Sequence, residues 1–212
     1  MGTIKKGILG GFSGKVGTVI GSSWKGIAYM RSIPQSVKNP RTQPQLMQRS
    51  KFSVTMSYLK PLNQILRTGW KLQANKQSPI NAAMSYHIAN AIMGDYPDYE
   101  IDVSKVLVSV GSLTPAVNAM AIVTGGTIEF SWSNNSGNGS AKLTDKVLIA
   151  VVNQARGEAV TSCAAAERKD STFVVQLPAN WSGDEVHIYL GFVSEDGREV
   201  SNSTYMGSVT IA

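Results

Sequence analysis

Hydrophobic and polar positions follow a different period in each of three successive stretches of the chain. Between residues 10 and 33, two short runs rich in β-branched and aromatic residues are bounded by glycines. This pattern predicts a β-hairpin over residues 14–33 with its turn near residues 22–26. A lone hairpin is marginal in water, so we expect it to lean on another element or another chain. A connector punctuated by prolines, residues 34–44, follows it.

Helical spacing governs the stretch after the connector, where apolar positions recur three, four and seven residues apart. Helices are predicted over residues 44–59, 61–74 and 79–93. Ser78 is placed to cap the third helix, Pro79 suits its first turn, and Gly94 is placed to close it.

From residue 103 the period becomes two, which is the period of a half-buried strand. Strands are predicted over residues 103–110, 116–123, 127–132, 145–152, 158–164, 171–177, 185–193 and 203–211. Short strands separated by glycine-containing turns are typical of an antiparallel sandwich, and Trp132 is expected in its core. The predicted fold class is therefore α+β: an N-terminal β-hairpin plus helical segment, followed by an antiparallel immunoglobulin/fibronectin-like β-sandwich.

Charge divides the chain at Asp95, the first acidic residue. Residues 1–94 contain nine lysines, four arginines and no acidic residue, whereas residues 95–212 contain seven basic residues and all 14 acids. The formal charges of the two parts are therefore +13 and −7. This asymmetry predicts a basic hairpin and helical domain over residues 1–98 and an acidic β-sandwich domain over residues 99–212.

An acid-free basic segment repels itself, and contact with an anionic partner relieves that repulsion. The partner is nucleic acid, the acidic face of a neighbouring subunit, a membrane surface or the chain's own acidic half; a solvated basic surface without a partner is the remaining alternative. We expect seven residues to form part of one face toward this partner: Lys15, Lys25, Arg31, Lys38, Arg41, Arg49 and Lys51. No nucleic-acid-recognition motif accompanies the charge, which favours a protein partner. Asp95, Asp98 and Glu100 are the candidate acids on the other side of that contact.

Residues that carry catalysis or bind metals are scarce. The two histidines, His87 in the third predicted helix and His187 in a predicted strand, have no neighbours at zinc-ligand spacing. The single cysteine, Cys163, excludes an intrachain disulfide and lacks the local sequence of a catalytic thiol. Gly14-Lys15 lacks the spacing of a phosphate-binding loop. We therefore expect no enzymatic activity, no cofactor and no metal site.

The start of the chain has no apolar run of the kind found in signal peptides, and no stretch of the sequence is long enough to span a membrane. We therefore expect a protein that is made in the cytoplasm and has no membrane span.

The N-terminal part of the chain carries a distinctive motif. It runs GxxGKVGxV from Gly11 to Val19, KG at 25–26, RSxP at 31–34, NPRT at 39–42 and QR at 48–49. Through this motif, residues 7–55 resemble a family of uncharacterised Bacteroidetes proteins. Similar Asn-Pro-Arg-Thr segments occur in bacteriophage-type proteins, and the rest of the chain is similar in layout, with helices followed by a fibronectin type III-like domain. The resemblance implies a lean toward phage or phage-derived genes, where β-sandwich modules serve in assembly and decoration. It transfers no residue role.

Three functions fit these observations. The first is a non-enzymatic structural or assembly protein of a phage virion or phage-derived particle, whose partners are itself or other protein subunits. The second is a nucleic-acid-binding protein with a β-sandwich appendage. It rests on four aromatic residues that interleave with basic residues, as stacking on bases requires, and the alternative is that these aromatics belong to the core. The aromatics are Trp24, Tyr29, Phe52 and Tyr58, and the basic residues are Lys25, Arg31, Arg49 and Lys51. The third is a surface- or carbohydrate-binding module, with Trp181 as its exposed platform.

Overall fold

The computed structural model describes residues 2–4, 7, 10–24, 26–36 and 41–211 of the chain. The chain divides into two compact units, Met1–Thr42 and Gln43–Ala212. This division differs from the boundary predicted at residues 98 and 99, because the helices and the β-sandwich share a hydrophobic core within the second unit. We call the two parts the N-terminal unit and the C-terminal unit.

The N-terminal unit is an antiparallel sheet in chain order. Its strands are β1 (Thr3–Ile4), β2 (Phe12–Val16), β3 (Val19–Trp24) and β4 (Ile27–Ser32). A single hairpin with its turn near residues 22–26 was too simple an expectation, since β2, β3 and β4 form two successive hairpins. Gly17, with φ of 57°, allows the tight turn between β2 and β3 that the sequence analysis did not anticipate.

Strand β2 packs closely over β3 at Gly21. A Cβ atom on Gly21 would lie 2.2 Å from the backbone oxygen of Phe12 and 2.5 Å from its ring, so only glycine fits there. At the start of β2, a Cβ on Gly11 would lie 2.2 Å from the Cβ of Ala28 in β4. Since β3 separates β2 from β4 in the sheet order, this contact requires the sheet to curl strongly.

The helices of the C-terminal unit lie close to their predicted positions. They are α1 (Gln43–Leu59), α2 (Asn63–Gly69), which a 3₁₀ turn at Lys71–Gln73 follows, and α3 (Pro79–Asn90). The Ser78 hydroxyl accepts a hydrogen bond from the Asn81 amide at 3.2 Å, so the predicted cap of α3 is confirmed. The predicted end at residue 93 is wrong, because Ile92–Met93 (β5) pairs instead with Glu100–Ile101 (β6).

The β-sandwich follows the helices, and the predicted α+β fold class is confirmed. Its strands are β7 (Val117–Thr124), β8 (Thr127–Ser133), β9 (Lys146–Asn153), β10 (Glu158–Glu167), β11 (Thr172–Gln176), β12 (Glu185–Val193) and β13 (Thr204–Thr210). One sheet has the order β11-β8-β7 and the other the order β10-β9-β12-β13, with antiparallel neighbours throughout. The arrangement of three strands facing four is that of the fibronectin and immunoglobulin class.

The four-stranded sheet is buried on both faces. Along β9, Leu148, Ala150 and Val152 belong to the core shared with the helices. Val147, Ile149 and Val151 alternate with them and belong to the core between the two sheets. The helices therefore form a third layer over the sandwich, and Trp132 lies in the inter-sheet core as predicted, with 4% of its surface exposed.

The strand predicted over residues 103–110 is wrong. Val103–Lys105 forms a 3₁₀ turn, and the apolar residues after it run between the helical layer and the sandwich, where Val106 and Val108 are buried. We call residues 106–111 the seam. Backbone groups of the seam bond to neighbouring segments instead of to a sheet: the Val110 amide donates to the Gly69 carbonyl at 3.1 Å and the Val108 amide to the Ser203 hydroxyl at 2.9 Å.

His87 ties α3 to the seam. Its Nδ1 lies 2.7 Å from the Ala83 carbonyl, and its Nε2 accepts a hydrogen bond from the Leu107 amide at 3.1 Å. This pair of contacts requires a neutral imidazole with the proton on Nδ1. Burial of the ring lowers the pKa of His87 to about 4, so the folded protein excludes the charged form.

Replacing Gly69 by alanine should destabilise the C-terminal unit by about 2–3 kcal/mol. A Cβ on Gly69 would lie 2.2 Å from the Val108 carbonyl oxygen, a backbone atom that cannot move without displacing the seam. Denaturant unfolding measures the change, with the exposed α2 substitution Gln64→Ala as the control. A more stable Gly69→Ala protein, which is the result that helix propensity alone predicts, would contradict the close approach.

Acid should destabilise the protein through His87. The folded-state pKa of His87 is about 4 against 6.5 in the unfolded chain, so the unfolded state binds more protons between these values. The contribution of His87 to the free energy of unfolding is present in full above pH 6.5. It falls by about 3 kcal/mol as the pH drops to 4. The test is denaturant unfolding from pH 7 to 4. His87→Gln should lack the contribution of His87 to this slope. His187→Gln should keep that contribution and lose only the smaller one of His187, whose pKa is also lowered by partial burial. Equal slopes in all three proteins would refute the assignment.

Candidate functional site

The register of the N-terminal sheet brings basic and aromatic side chains onto one face. Lys15 in β2 pairs with Ile20 in β3, and Ile20 pairs with Arg31 in β4. These three residues therefore form one row across the sheet. The backbones of Lys15 and Arg31 lie about 10 Å apart, which is the spacing of two strands. Because alternate residues of a strand share a face, Tyr29 lies beside Arg31 on β4, about 7 Å away.

We call this surface the basic–aromatic face. It consists of Lys15, Ile20, Trp24, Ile27, Tyr29 and Arg31. Trp24 and Tyr29 are 64% and 42% exposed, and Lys15 and Arg31 are also exposed. No acidic residue occurs before Asp95, so none contributes to this face. The face therefore combines unopposed positive charge with two accessible aromatic rings.

The opposite face of the sheet carries uncharged residues at the described strand positions. They are Ile4, Phe12, Gly14, Val16, Val19, Gly21, Ser23, Ala28, Met30 and Ser32. Met30 is 70% exposed and Val16 is 55% exposed. Among the described residues of the N-terminal unit, no apolar side chain is fully buried, and Gly21 is the single buried residue. The unit therefore presents apolar surface without a core of its own.

The structure brings two of the seven predicted contact residues together, Lys15 and Arg31. Lys25 and Lys38 lie outside the described residues. Arg41 is exposed just before α1, and Arg49 is exposed within it. Lys51 is half-buried on α1, where its ammonium lies 5.0 Å from the centre of the Tyr99 ring. The prediction that all seven share one face remains a prediction.

The acidic residues proposed as counterparts are exposed at Asp95, Asp98 and Glu100. Asp102 instead has a local structural role: it accepts hydrogen bonds from Ser104, and it lies 3.0 Å from the Lys105 ammonium. The Ser104 and Lys105 contacts lower the pKa of Asp102. Among the described residues, no three His, Cys, Asp or Glu side chains converge as metal ligands would.

His187 and Cys163 sit in structural surroundings. His187 Nδ1 lies 3.1 Å from the Tyr205 hydroxyl, and partial burial lowers the pKa of the imidazole. Cys163 packs beside the core that the helices share with the sandwich, and burial raises the pKa of its thiol. Raising the thiol pKa lowers the fraction of reactive thiolate at neutral pH.

Trp181 is not an exposed platform, so that prediction is wrong. The short 3₁₀ turn Ala179–Trp181 carries the indole into the sandwich core, where 1% of its surface is exposed. Its Nε1 donates a hydrogen bond to Glu158 at 2.8 Å, which satisfies the one polar atom of the ring. Flanking Pro178 and Ser182 gave the segment the composition of a surface loop, and nothing local signalled the burial.

A cleft of about 360 Å³ lies between α1 and the turn from β9 to β10. Ser53, Tyr58, Ile101, Asn153 and Gly157 are among the residues that line it. Its strongest polar groups already have protein partners, since the Tyr58 hydroxyl bonds to that of Tyr189 at 2.8 Å and the Asn153 amide donates to Asp184 at 2.8 Å. The sequence analysis did not anticipate this cleft, because α1 and the turn are far apart in the chain.

Within the part of the chain that the structure describes, no helix is both long enough and apolar enough to cross a membrane. No curated protein matches the sequence. Among solved structures, this chain is similar to the solution structure of the fibronectin type III domain of the human collagen α-1(XX) chain. The match covers 49% of this chain and 91% of that domain, with 11% sequence identity and a TM-score of 0.36. The profile of a family of unknown function, DUF6266, matches residues 11–207, and the chain belongs to that family.

Proposed function

We propose that this protein is a non-enzymatic assembly subunit whose N-terminal unit docks onto other subunits, which are copies of itself or different proteins. The finer proposal, from the resemblance of its N-terminal motif, is a structural role in a phage virion or phage-derived particle. One observation carries the assembly role: no apolar side chain is fully buried among the described residues of the N-terminal unit, although its strands are rich in apolar residues. Contact with another chain would supply the burial that stabilises such a sheet.

Strand β4 is the natural place for that contact. It lies at an edge of the described sheet, and all six of its residues are exposed. Ile27 and Met30 are 68% and 70% exposed, on opposite faces of the strand. An exposed apolar edge strand offers both unpaired backbone groups and side chains to a partner. A partner strand on β4 would extend the sheet and cover both residues.

Nucleic-acid binding is the second candidate, and the basic–aromatic face favours it. The positive charge of that face attracts any polyanion, and its rings suit stacking against bases. The carbohydrate-binding alternative no longer has the residue on which it rested, because Trp181 is buried. The two roles share strand β4: strand addition uses its backbone edge, whereas nucleic-acid binding uses the side chains on one of its faces.

The full-length protein should form assemblies larger than a monomer, and the double substitution Ile27→Lys and Met30→Lys should reduce their mass. Lysine on an edge strand opposes strand addition because the charge would be buried between the chains. Light scattering after gel filtration measures the mass. Ile122→Lys, at a 60% exposed position on an edge strand of the sandwich, is the matched control and should leave the mass unchanged.

Deletion of residues 1–36 should lower the number of subunits per assembly, which is the measured mass divided by the mass of one chain. A protein that stays monomeric at high concentration would refute the assembly role. An assembly whose number of subunits neither the double substitution nor the deletion changes would show that the N-terminal unit does not mediate it.

A further inference from the structure

We propose that the basic–aromatic face binds single-stranded nucleic acid, with Lys15 and Arg31 contacting phosphates and with Trp24 and Tyr29 stacking on bases. This inference rests on the second candidate function, nucleic-acid binding, and names the class of nucleic acid and the residues that would contact it.

The positions of the rings and charges support this ligand. Trp24 pairs with Ile27, and Tyr29 lies two residues further along β4, so Trp24 and Tyr29 occupy diagonal positions whose backbones are about 7–8 Å apart. Two unstacked neighbouring bases are able to meet one ring each at this separation. Arg31 lies two residues after Tyr29 on the same face, and Lys15 lies in the same row as Arg31, two strands away. The two positive charges therefore lie on one side of the two rings.

The alternative partner, an acidic protein surface, explains only part of this arrangement. It would neutralise Lys15 and Arg31, but it has no particular need for two exposed rings. Protein surfaces usually carry both signs of charge. If the partner were a protein, the N-terminal unit should therefore carry some acidic residues opposite the partner's basic ones. Residues 1–42 contain seven basic residues and no acid. Uniform positive charge suits a ligand with a regular negative charge, and exposed rings suit a ligand with accessible base faces.

Unpaired bases are required because stacking on a protein ring needs a free base face. Duplex DNA keeps its bases stacked on one another, so it offers phosphates to Lys15 and Arg31 but no partner to Trp24 or Tyr29. A 20-nucleotide oligothymidine and a 20-base-pair duplex therefore separate charge from stacking. The single strand should bind at least ten-fold more tightly than the duplex.

Trp24 supplies a selective optical probe. It is 64% exposed, whereas the other three tryptophans, all in the described part of the chain, are 3%, 4% and 1% exposed. Base stacking on Trp24 should therefore quench the exposed fraction of the emission of the full-length protein. Oligothymidine should quench this emission, and polyglutamate at the same charge concentration should not.

The variants separate the two kinds of contact. Tyr29→Ala should weaken oligothymidine binding about ten-fold without changing its salt dependence, whereas Lys15→Gln and Arg31→Gln should each reduce the slope of log affinity against log salt by about 0.7. Val16→Ala is the matched control, because Val16 is 55% exposed beside Lys15 on β2 but lies on the opposite face of the sheet. It should leave both the affinity and the slope unchanged.

Several outcomes would overturn the proposal: no oligothymidine binding at low salt, equal binding of duplex and single strand, or binding that Tyr29→Ala leaves intact. Quenching by polyglutamate equal to that by oligothymidine would point to an acidic protein instead. Light scattering of the same samples keeps the two proposals apart. Assembly without nucleic-acid binding would refute this inference alone, and nucleic-acid binding by a protein that stays monomeric would refute the assembly role alone.

Discussion

The C-terminal unit depends on one close approach between backbones, at the seam between its helices and its sandwich. A Cβ on Gly69 would lie 2.2 Å from the Val108 oxygen, and one on Gly111 would lie 2.1 Å from the Val200 oxygen. Gly191, within β12, would bring a Cβ to 2.6 Å from the Ser109 hydroxyl. Without Gly69 and Gly111 the seam would stand further from both layers, and the buried residues on either side would lose contact.

This close approach explains why the seam is not a strand. A segment that lies between two layers has no neighbouring strand to pair with, so its amides bond to Gly69, His87 and Ser203 instead. Those bonds give the amides of Leu107, Val108 and Val110 the partners that buried backbone groups require. They also fix the helical layer on the sandwich, with His87 held neutral because a proton on Nε2 would remove the bond from Leu107.

A second buried polar group joins several loops of the sandwich to one another. The Arg168 side chain is fully buried, and its Nε lies 3.0 Å from Asp145. The same guanidinium donates to Asn135 and to the Thr114 carbonyl, and it stacks 3.8 Å from the centre of the Phe192 ring. A buried ion pair adds little net stability, but removing one partner is costly. We therefore interpret the pair as a constraint on how these loops join the sandwich.

The sequence predicts an element well where one period runs without interruption, as for the β12 strand at 185–193 and the capped start of α3. It fails where distant residues decide. Trp132 and Trp181 are both buried, yet only Trp132 lies in an alternating strand that signals its burial. The run at 103–110 has the composition of a strand. In the fold it lies against α2 and bonds to Gly69 there, so it has no neighbouring strand to pair with. The sequence shows that the N-terminal strands carry both basic and aromatic residues. It does not show the strand register, which places Lys15, Trp24, Tyr29 and Arg31 on one face.

The two units therefore differ in what makes them stable. The C-terminal unit has two hydrophobic cores that share a sheet, and its stability is internal. The N-terminal unit is held together by main-chain pairing and by the packing of Phe12 over Gly21. Its described residues bury little apolar surface. A sheet of this kind gains stability when a partner covers Tyr29, Met30 or the edge of β4. Since its charge is uniformly positive, repulsion within the sheet falls when that partner is anionic. Ordering of this unit and recognition of its partner are then parts of the same equilibrium.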